Sequence, residues 1–241
     1  MSINNITILI QGPLNKTSLD NIENYYLKYG KIIVSHWSDD NKELCKRLST
    51  LEKKYTHLSS VSLKDQPPMH PDYRLHQLYT TFAGLKKCNT PYVVKVRSDE
   101  MWVNLQPLIK EFLKDDTKMV TSNIFYKPTY DVYHISDHLM IAQTNFFKEG
   151  MRKFFSKLNA KDFYFRHKDI TIDVAAVACE TIFGRMFLYG KHGFNIPQSE
   201  NAFKEDFACI DVNEIDEYVL KWNNNNKTFE KPNGVLYNGE E

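Results

Sequence analysis

No CxxC pair occurs in this chain: its four cysteines, Cys45, Cys88, Cys179 and Cys209, stand far apart. That spacing argues against a zinc site and offers no disulfide framework. GxGxxG and GxxxxGK[ST] are also absent, so dinucleotide-binding and P-loop readings lose their main support. No apolar run approaches the ~20 residues that span a bilayer. The opening MSINNITILIQG has no basic stretch leading into a long apolar one, so no signal peptide is expected. Charge of one sign is missing as well. A net charge of +1, with 25% of residues charged, argues against a nucleic-acid binder that works by broad phosphate neutralisation. The expectation is a soluble, cytoplasmic protein without a transmembrane segment. Peripheral docking at a membrane stays open, although no strong basic amphipathic helix stands out.

What the chain does have is a large apolar and aromatic content and a regular alternation of elements. Aromatic residues make up 13% of its 241 residues, mostly 14 Tyr and 15 Phe. They suit sugar or base stacking, and equally a large core. Short β-branched runs at 6–10, 31–35, 58–63 and 91–99 read as strands. Between them, 18–29, 41–54 and 74–87 read as helices, with Ser18 as N-cap and Gly30 as stop for the first. This β-α-β-α-β-α-β order calls for a mostly parallel, doubly wound α/β sheet flanked by helices. The second half is less regular. Helices are expected at 105–114, 144–158 and 174–188, and strands at 119–125 and 132–142, the latter interrupted at Ser136-Asp137-His138. The tail from Trp222 is Asn-rich. With no linker or repeat, one domain over 1–241 is expected.

The most informative stretch is Pro91-Tyr92-Val93-Val94-Lys95-Val96-Arg97-Ser98-Asp99-Glu100. A buried-type strand stops at two adjacent carboxylates, at the strand end where open α/β sheets bind ligands. Asp99 and Glu100 can hold a divalent cation, Mg²⁺ or Mn²⁺, which in turn holds a diphosphate. The alternative is a solvated acid pair joined to Arg97. Gln11-Gly12-Pro13 ends the first strand: Gly12 allows close backbone approach, and Gln11 offers an amide to a base edge or ribose. Ser35, Trp37 and Asp39 end the second strand and border the same crevice, unless they form a plain turn. Arg74, Gln77 and Thr81 share one helix face, either turned to a diphosphate or solvated. Arg74 or Arg97 is expected to share the charge of a bound diphosphate, with Ser98 beside it in the donor site. Asp137 and His138 can meet an acceptor hydroxyl, complete a metal shell with Asp99 and Glu100, or form a structural hydrogen bond. His192 lies in a Gly-flanked loop within reach of a metal or phosphate. Glu180 lies in a segment apolar nearly all round. It is either a general base with a raised pKa or half of a salt bridge with Arg185 or Arg166.

These segments resemble the WavE lipopolysaccharide-synthesis family and, more broadly, GT-A-type glycosyltransferases. The resemblance is carried by ILIQGPL at 8–14, QLYTTFAGLKK at 77–87, YVVKVRSDE at 92–100, Ser136-Asp137-His138 and Cys179-Glu180. It implies a GT-A, Rossmann-like fold, with residues 1–100 holding a nucleotide-sugar donor and residues 101–241 receiving a glycan or lipid-linked glycan acceptor. Ser98-Asp99-Glu100 then stands where GT-A enzymes carry Asp-x-Asp, with Ser in the first place and Glu in the last. Glu180, or alternatively Asp137, takes the place of the acceptor-activating acid, and the transfer is expected to invert the anomeric carbon. The rival expectations are a sugar-1-phosphate nucleotidyltransferase and a non-catalytic nucleotide- or carbohydrate-binding module.

Overall fold

The computed structural model describes residues 5–64, 74–127, 133–159, 164–167, 170–173, 178–196, 199–215 and 218–219. Seven strands form the central sheet: β1 (Ile6–Gln11), β2 (Lys31–Trp37), β3 (Leu58–Leu63), β4 (Tyr92–Arg97), β5 (Met119–Ser122), β6 (Leu139–Gln143) and β7 (Phe207–Ile210). Their order across the sheet is β7-β5-β6-β4-β1-β2-β3. β1 pairs in parallel with β2 and β4, β2 with β3, and β7 with β5. β6 alone runs the other way, antiparallel to both β4 and β5. The flanking helices are α1 (Lys16–Asn21), α2 (Lys42–Lys54), α3 (Arg74–Lys87), α4 (Gln106–Phe112), α5 (Thr144–Phe155), α6 (Cys179–His192) and α7 (Glu200–Asp206). This is the mostly parallel α/β architecture that the alternating pattern predicts. Among the described residues no helix is long and apolar enough to cross a membrane.

The period of two along each strand sorts side chains between two cores. Ile6, Ile8 and Ile10 of β1, with Val94 and Val96 of β4, pack with Leu48 and Leu51 of α2 and Leu108 and Phe112 of α4. Leu9, Ile33 and Val93 belong to the other core, with Leu78 and Leu85 of α3, Phe147 of α5, and Phe183 and Phe187 of α6. In β4 the odd-numbered positions continue from Val93 to Lys95 and Arg97. Both charges therefore emerge on the side of α3 and α6. Because β6 is reversed, its first residue, Leu139, pairs with Val96 near the end of β4. The reversal brings Ser136-Asp137-His138 to the edge where β4 ends.

Several expected boundaries change. The first helix is capped by Asn15, not Ser18; Ser18 is the N3 residue of a capping box that Asn15 opens. That helix passes into a π-type turn, Ile22–Tyr26, and the chain leaves it at Gly30 with a positive φ of 155°. The strand at 119–125 stops at Ser122. The strand expected at 132–142 reduces to β6, since the residues before Leu139 turn inward instead. The helix expected at 174–188 starts at Cys179, with 174–177 outside the described residues, as is the tail from Trp222.

α5 and α6 approach backbone to backbone. A Cβ at Gly150 would lie 1.6 Å from the Met186 carbonyl oxygen, and one at Gly190 would lie 1.7 Å from that of Phe146. Neither carbonyl can swing aside as a flexible side chain can. Gly150→Ala is therefore expected to cost about 2–3 kcal/mol and to lower the urea midpoint. An unchanged midpoint would contradict this close helix crossing.

Candidate active site

A hollow of about 310 Å³ opens at the C-terminal ends of β1, β2 and β4. Its wall is made by Gln11, Gly12 and Pro13 after β1, Trp37 at the end of β2, His76, Gln77 and Thr80 of α3, and Arg97, Ser98 and Asp99 at the end of β4. Backbone bonds hold these tips together. Gly12 N donates to Ser35 O at 3.1 Å, and Ser98 N donates to Gln11 O at 2.9 Å. Gly12 has a φ of 123°, and a Cβ there would lie 2.6 Å from Ser98 Oγ. The positive φ favours glycine here, and the Ser98 hydroxyl would have to rotate to admit a larger side chain. Gln11 is buried, and its Oε1 accepts a 2.9 Å bond from Thr80 Oγ1. The rings of Trp37 and His76 meet edge to face at 5.3 Å, forming an aromatic side to the hollow.

Next to the hollow lies a dense charge cluster centred on Arg97. Its Nε and Nη2 donate to the two carboxylate oxygens of Asp99, each at 3.0 Å. Glu100 Oε1 lies 3.3 Å from Nε, and Asp137 Oδ2 lies 3.6 Å from Nη1. Glu100 is fully buried, and its Oε1 is 2.5 Å from His138 Nδ1. Gln77 Nε2 donates to Asp137 Oδ2, and Lys95 Nζ to the Asp137 carbonyl. Lys95 is itself fully buried, with its ammonium 4.9 Å from the Phe183 ring centre. Burial pushes the Lys95 pKa down despite the pull of Asp137. Burial alone would raise Asp137, but His138, Lys95 and Arg97 hold it below the usual carboxylate range. Glu180, half-buried in the first turn of α6, is shifted the opposite way: burial and the negative charge of Asp137 raise it above 4.5.

Of the expected site residues, Gln11, Gly12, Pro13, Trp37, Gln77, Arg97, Ser98 and Asp99 line the hollow. Ser35 lies below it, buried, with Oγ donating to Thr80 O at 2.6 Å. Asp39 is exposed on the turn and does not line the hollow. Its neighbour Asp40 is a backbone clamp, accepting from Leu14 N at 3.0 Å and Trp37 N at 3.1 Å. Thr81 is buried away from the hollow, and Thr80 takes the position expected of it. Arg74 opens α3, and its side chain lies outside the described residues. His192 is far along α6 and meets the Asp206 carboxylate at 2.9 Å, a structural contact away from the hollow. Glu180 is at the second position of α6, where the helix begins, rather than mid-helix. Sequence reasoning missed Lys95, His76 and Thr80. Lys95 had a signal: a charge inside an apolar strand, in phase with Arg97.

The expected metal set does not converge. Asp99 faces the hollow, Glu100 and His138 face inward, and the Arg97 guanidinium contacts both carboxylates. A different group does converge: Asp137, His138 and Glu180 offer one atom each within 4.8 Å of one another. That group is able to hold an ion in principle, but Asp137 already binds Gln77 and faces Lys95 and Arg97. The residues present fit a built-in cation better than a divalent one.

A family model described as WavE lipopolysaccharide synthesis matches residues 6–164, the stretch from β1 to just beyond α5. The chain belongs to the WavE lipopolysaccharide synthesis family. Among curated proteins nothing matches this WavE chain. Among solved structures, a putative glucose-1-phosphate thymidylyltransferase from Bacillus anthracis, in complex with a sucrose, aligns over 86% of each chain. The identity is 6% and the TM-score 0.50. Two crystal structures of S. aureus TarS align at a TM-score of 0.44. One covers 60% of this chain at 10% identity, and TarS 1-349 covers 76% at 11% identity. The WavE chain spans 29% and 55% of those two TarS chains. At 6% identity the likeness to the thymidylyltransferase speaks for the fold alone, a Rossmann-like, GT-A-type α/β sheet.

The buried Glu100–His138 pair has a checkable sign. Burial opposes the imidazolium, but Glu100 and Asp137 outweigh it and raise the His138 pKa above 6.5. A raised histidine contributes stability that is complete below the unfolded value and is lost as pH rises through the folded one. His138→Gln is expected to flatten the stability–pH curve above 6.5 in urea titrations. The same slope in both proteins would contradict this pairing.

Proposed function

We propose that this WavE chain is a glycosyltransferase, moving a sugar from a nucleotide-sugar donor to a hydroxyl of a glycan or lipid-linked glycan acceptor in lipopolysaccharide or other surface-polysaccharide synthesis. One observation carries the reading. An aromatic-walled hollow at the C-terminal edge of the sheet is lined by Gln77 and Arg97, both of which contact Asp137, and Asp137 in turn has beside it, within 4.8 Å, the half-buried carboxylate of Glu180, whose pKa is raised. Trp37 and His76 supply ring surface for the base. The Gln11 amide and the open backbone at Gly12 suit the ribose, and Arg97 meets the charge of the leaving diphosphate. Glu180 takes the proton from the acceptor hydroxyl as that oxygen attacks the anomeric carbon. Asp137, ionised and tied to Gln77 and Arg97, acts through them as a positioning residue. One direct displacement inverts the anomeric carbon. Mn²⁺ or Mg²⁺ was expected at Asp99, Glu100 and His138, but the Arg97 guanidinium already binds both carboxylates, and Glu100 is paired to His138 at 2.5 Å. A sugar-1-phosphate nucleotidyltransferase shares the sheet, yet Gln11-Gly12-Pro13 carries no Lys or Arg for a triphosphate. Pyrophosphate release from a nucleoside triphosphate and a sugar phosphate would favour that rival.

Two outcomes are expected. The product anomer, assigned by NMR, has the configuration opposite to the donor; retention would contradict single displacement. Glu180→Gln lowers kcat by about 10²–10⁴-fold with little change in donor KM. Because a base works unprotonated, activity rises with pH through a value above 4.5, and that limb vanishes in the variant. An acid limb unaltered by Glu180→Gln would assign the base elsewhere.

A further inference from the structure

Arg97 and Asp99 form a bidentate pair at the rim of the hollow, their side chains 14% and 39% exposed. A guanidinium fork accepts a carboxylate or a phosphate through the same pair of parallel N–H···O bonds. The other acids on the guanidinium, Glu100 and Asp137, are buried at 0% and 3% exposure and do not line the hollow. Gln77 adds a contact, its Oε1 3.5 Å from Nη1. These inner partners keep the fork aimed at the hollow whether or not Asp99 stays on it. Asp99, by contrast, follows the strand end and faces the hollow with Gly12 and Ser98.

We infer that the Asp99 carboxylate stands in for the donor's diphosphate: the diphosphate displaces it from Arg97, and the guanidinium, in place of a divalent cation, holds the leaving group. The identity of the ligand rests on the glycosyl-transfer reading above. Asp99 then competes with the donor, the reverse of what a metal-binding acid does. No bond is made or broken in the exchange; one anion replaces another on a fixed cation.

Calorimetry decides it, with inorganic pyrophosphate and a panel of UDP, GDP, ADP, CDP and dTDP, in EDTA and again with Mn²⁺. The wild-type chain is expected to bind at least one nucleoside diphosphate in EDTA. Asp99→Asn is expected to bind it roughly three- to fivefold more tightly, the scale of a partly exposed ion pair. Arg97→Gln is expected to weaken it about ten- to a hundredfold, as for a lost charge-assisted bond. Thermal denaturation checks that the Arg97 variant is folded, and the Asp99 variant tests the idea independently. Binding that needs Mn²⁺ and is lost in Asp99→Asn would overturn the inference and leave the glycosyltransferase reading standing. No binding of any nucleoside diphosphate, with or without Mn²⁺, would overturn both.

Discussion

The guanidinium of Arg97 ties together everything at the working edge of this protein. It ends β4 and touches carboxylates from two separate segments: Asp99 and Glu100 just after the strand, and Asp137 just before β6. Two of those acids are buried, and a buried carboxylate is costly without a partner. They share Arg97 and His138 as partners, and breaking a buried pair of this kind by removing one partner typically costs about 3–5 kcal/mol. Lys95, two residues earlier on the same face, braces the Asp137 backbone from below. A single strand register thus places both cations, the turn after β4 supplies Asp99 and Glu100, and the antiparallel β6 brings Asp137 to meet them.

Around that cluster the loops are held by short polar clamps rather than by apolar packing. Asn15 Nδ2 donates to Ser98 O at 2.9 Å, and Asn21 Nδ2 donates to Glu100 O at 2.8 Å. Asn15 caps α1 and Asn21 is its last residue, so the two ends of the helix after β1 fix the backbone after β4. Asp40 performs the same service between the β1 and β2 loops. A hollow built this way is preorganised: its donors and acceptors need little rearrangement to receive a ligand. Strand register sets where the charges stand, and the charges set the rim of the hollow, where Arg97 and Asp99 pair.

Much of this was legible in the sequence. β-branched runs ending in polar residues located β1 to β4, and α3 kept the expected bounds of Arg74–Lys87. The hollow formed where strand ends predicted it, and the WavE resemblance drawn from QGPL, RSDE and SDH agrees with the family match. What failed was direction. Adjacent acids such as Asp99 and Glu100 carry no sequence mark of which turns inward; burial against His138 decided it. From Gln77, positions i+3 and i+4 are equally near on a helix, and the packing of α3 chose Thr80 over Thr81. Glu180 was legible as an acid under desolvation, but not as a residue of a helix's first turn. Its apolar neighbours upstream continued the helical pattern past the true start at Cys179.

The most direct measurement of the central claim is a crystal structure with a nucleoside diphosphate bound. The account predicts the base against Trp37 and His76, the diphosphate on Arg97, and Glu180 facing the space beyond the second phosphate. A nucleotide at the opposite end of the strands, for instance in the cleft lined by Lys31, His57 and Lys87, would contradict it.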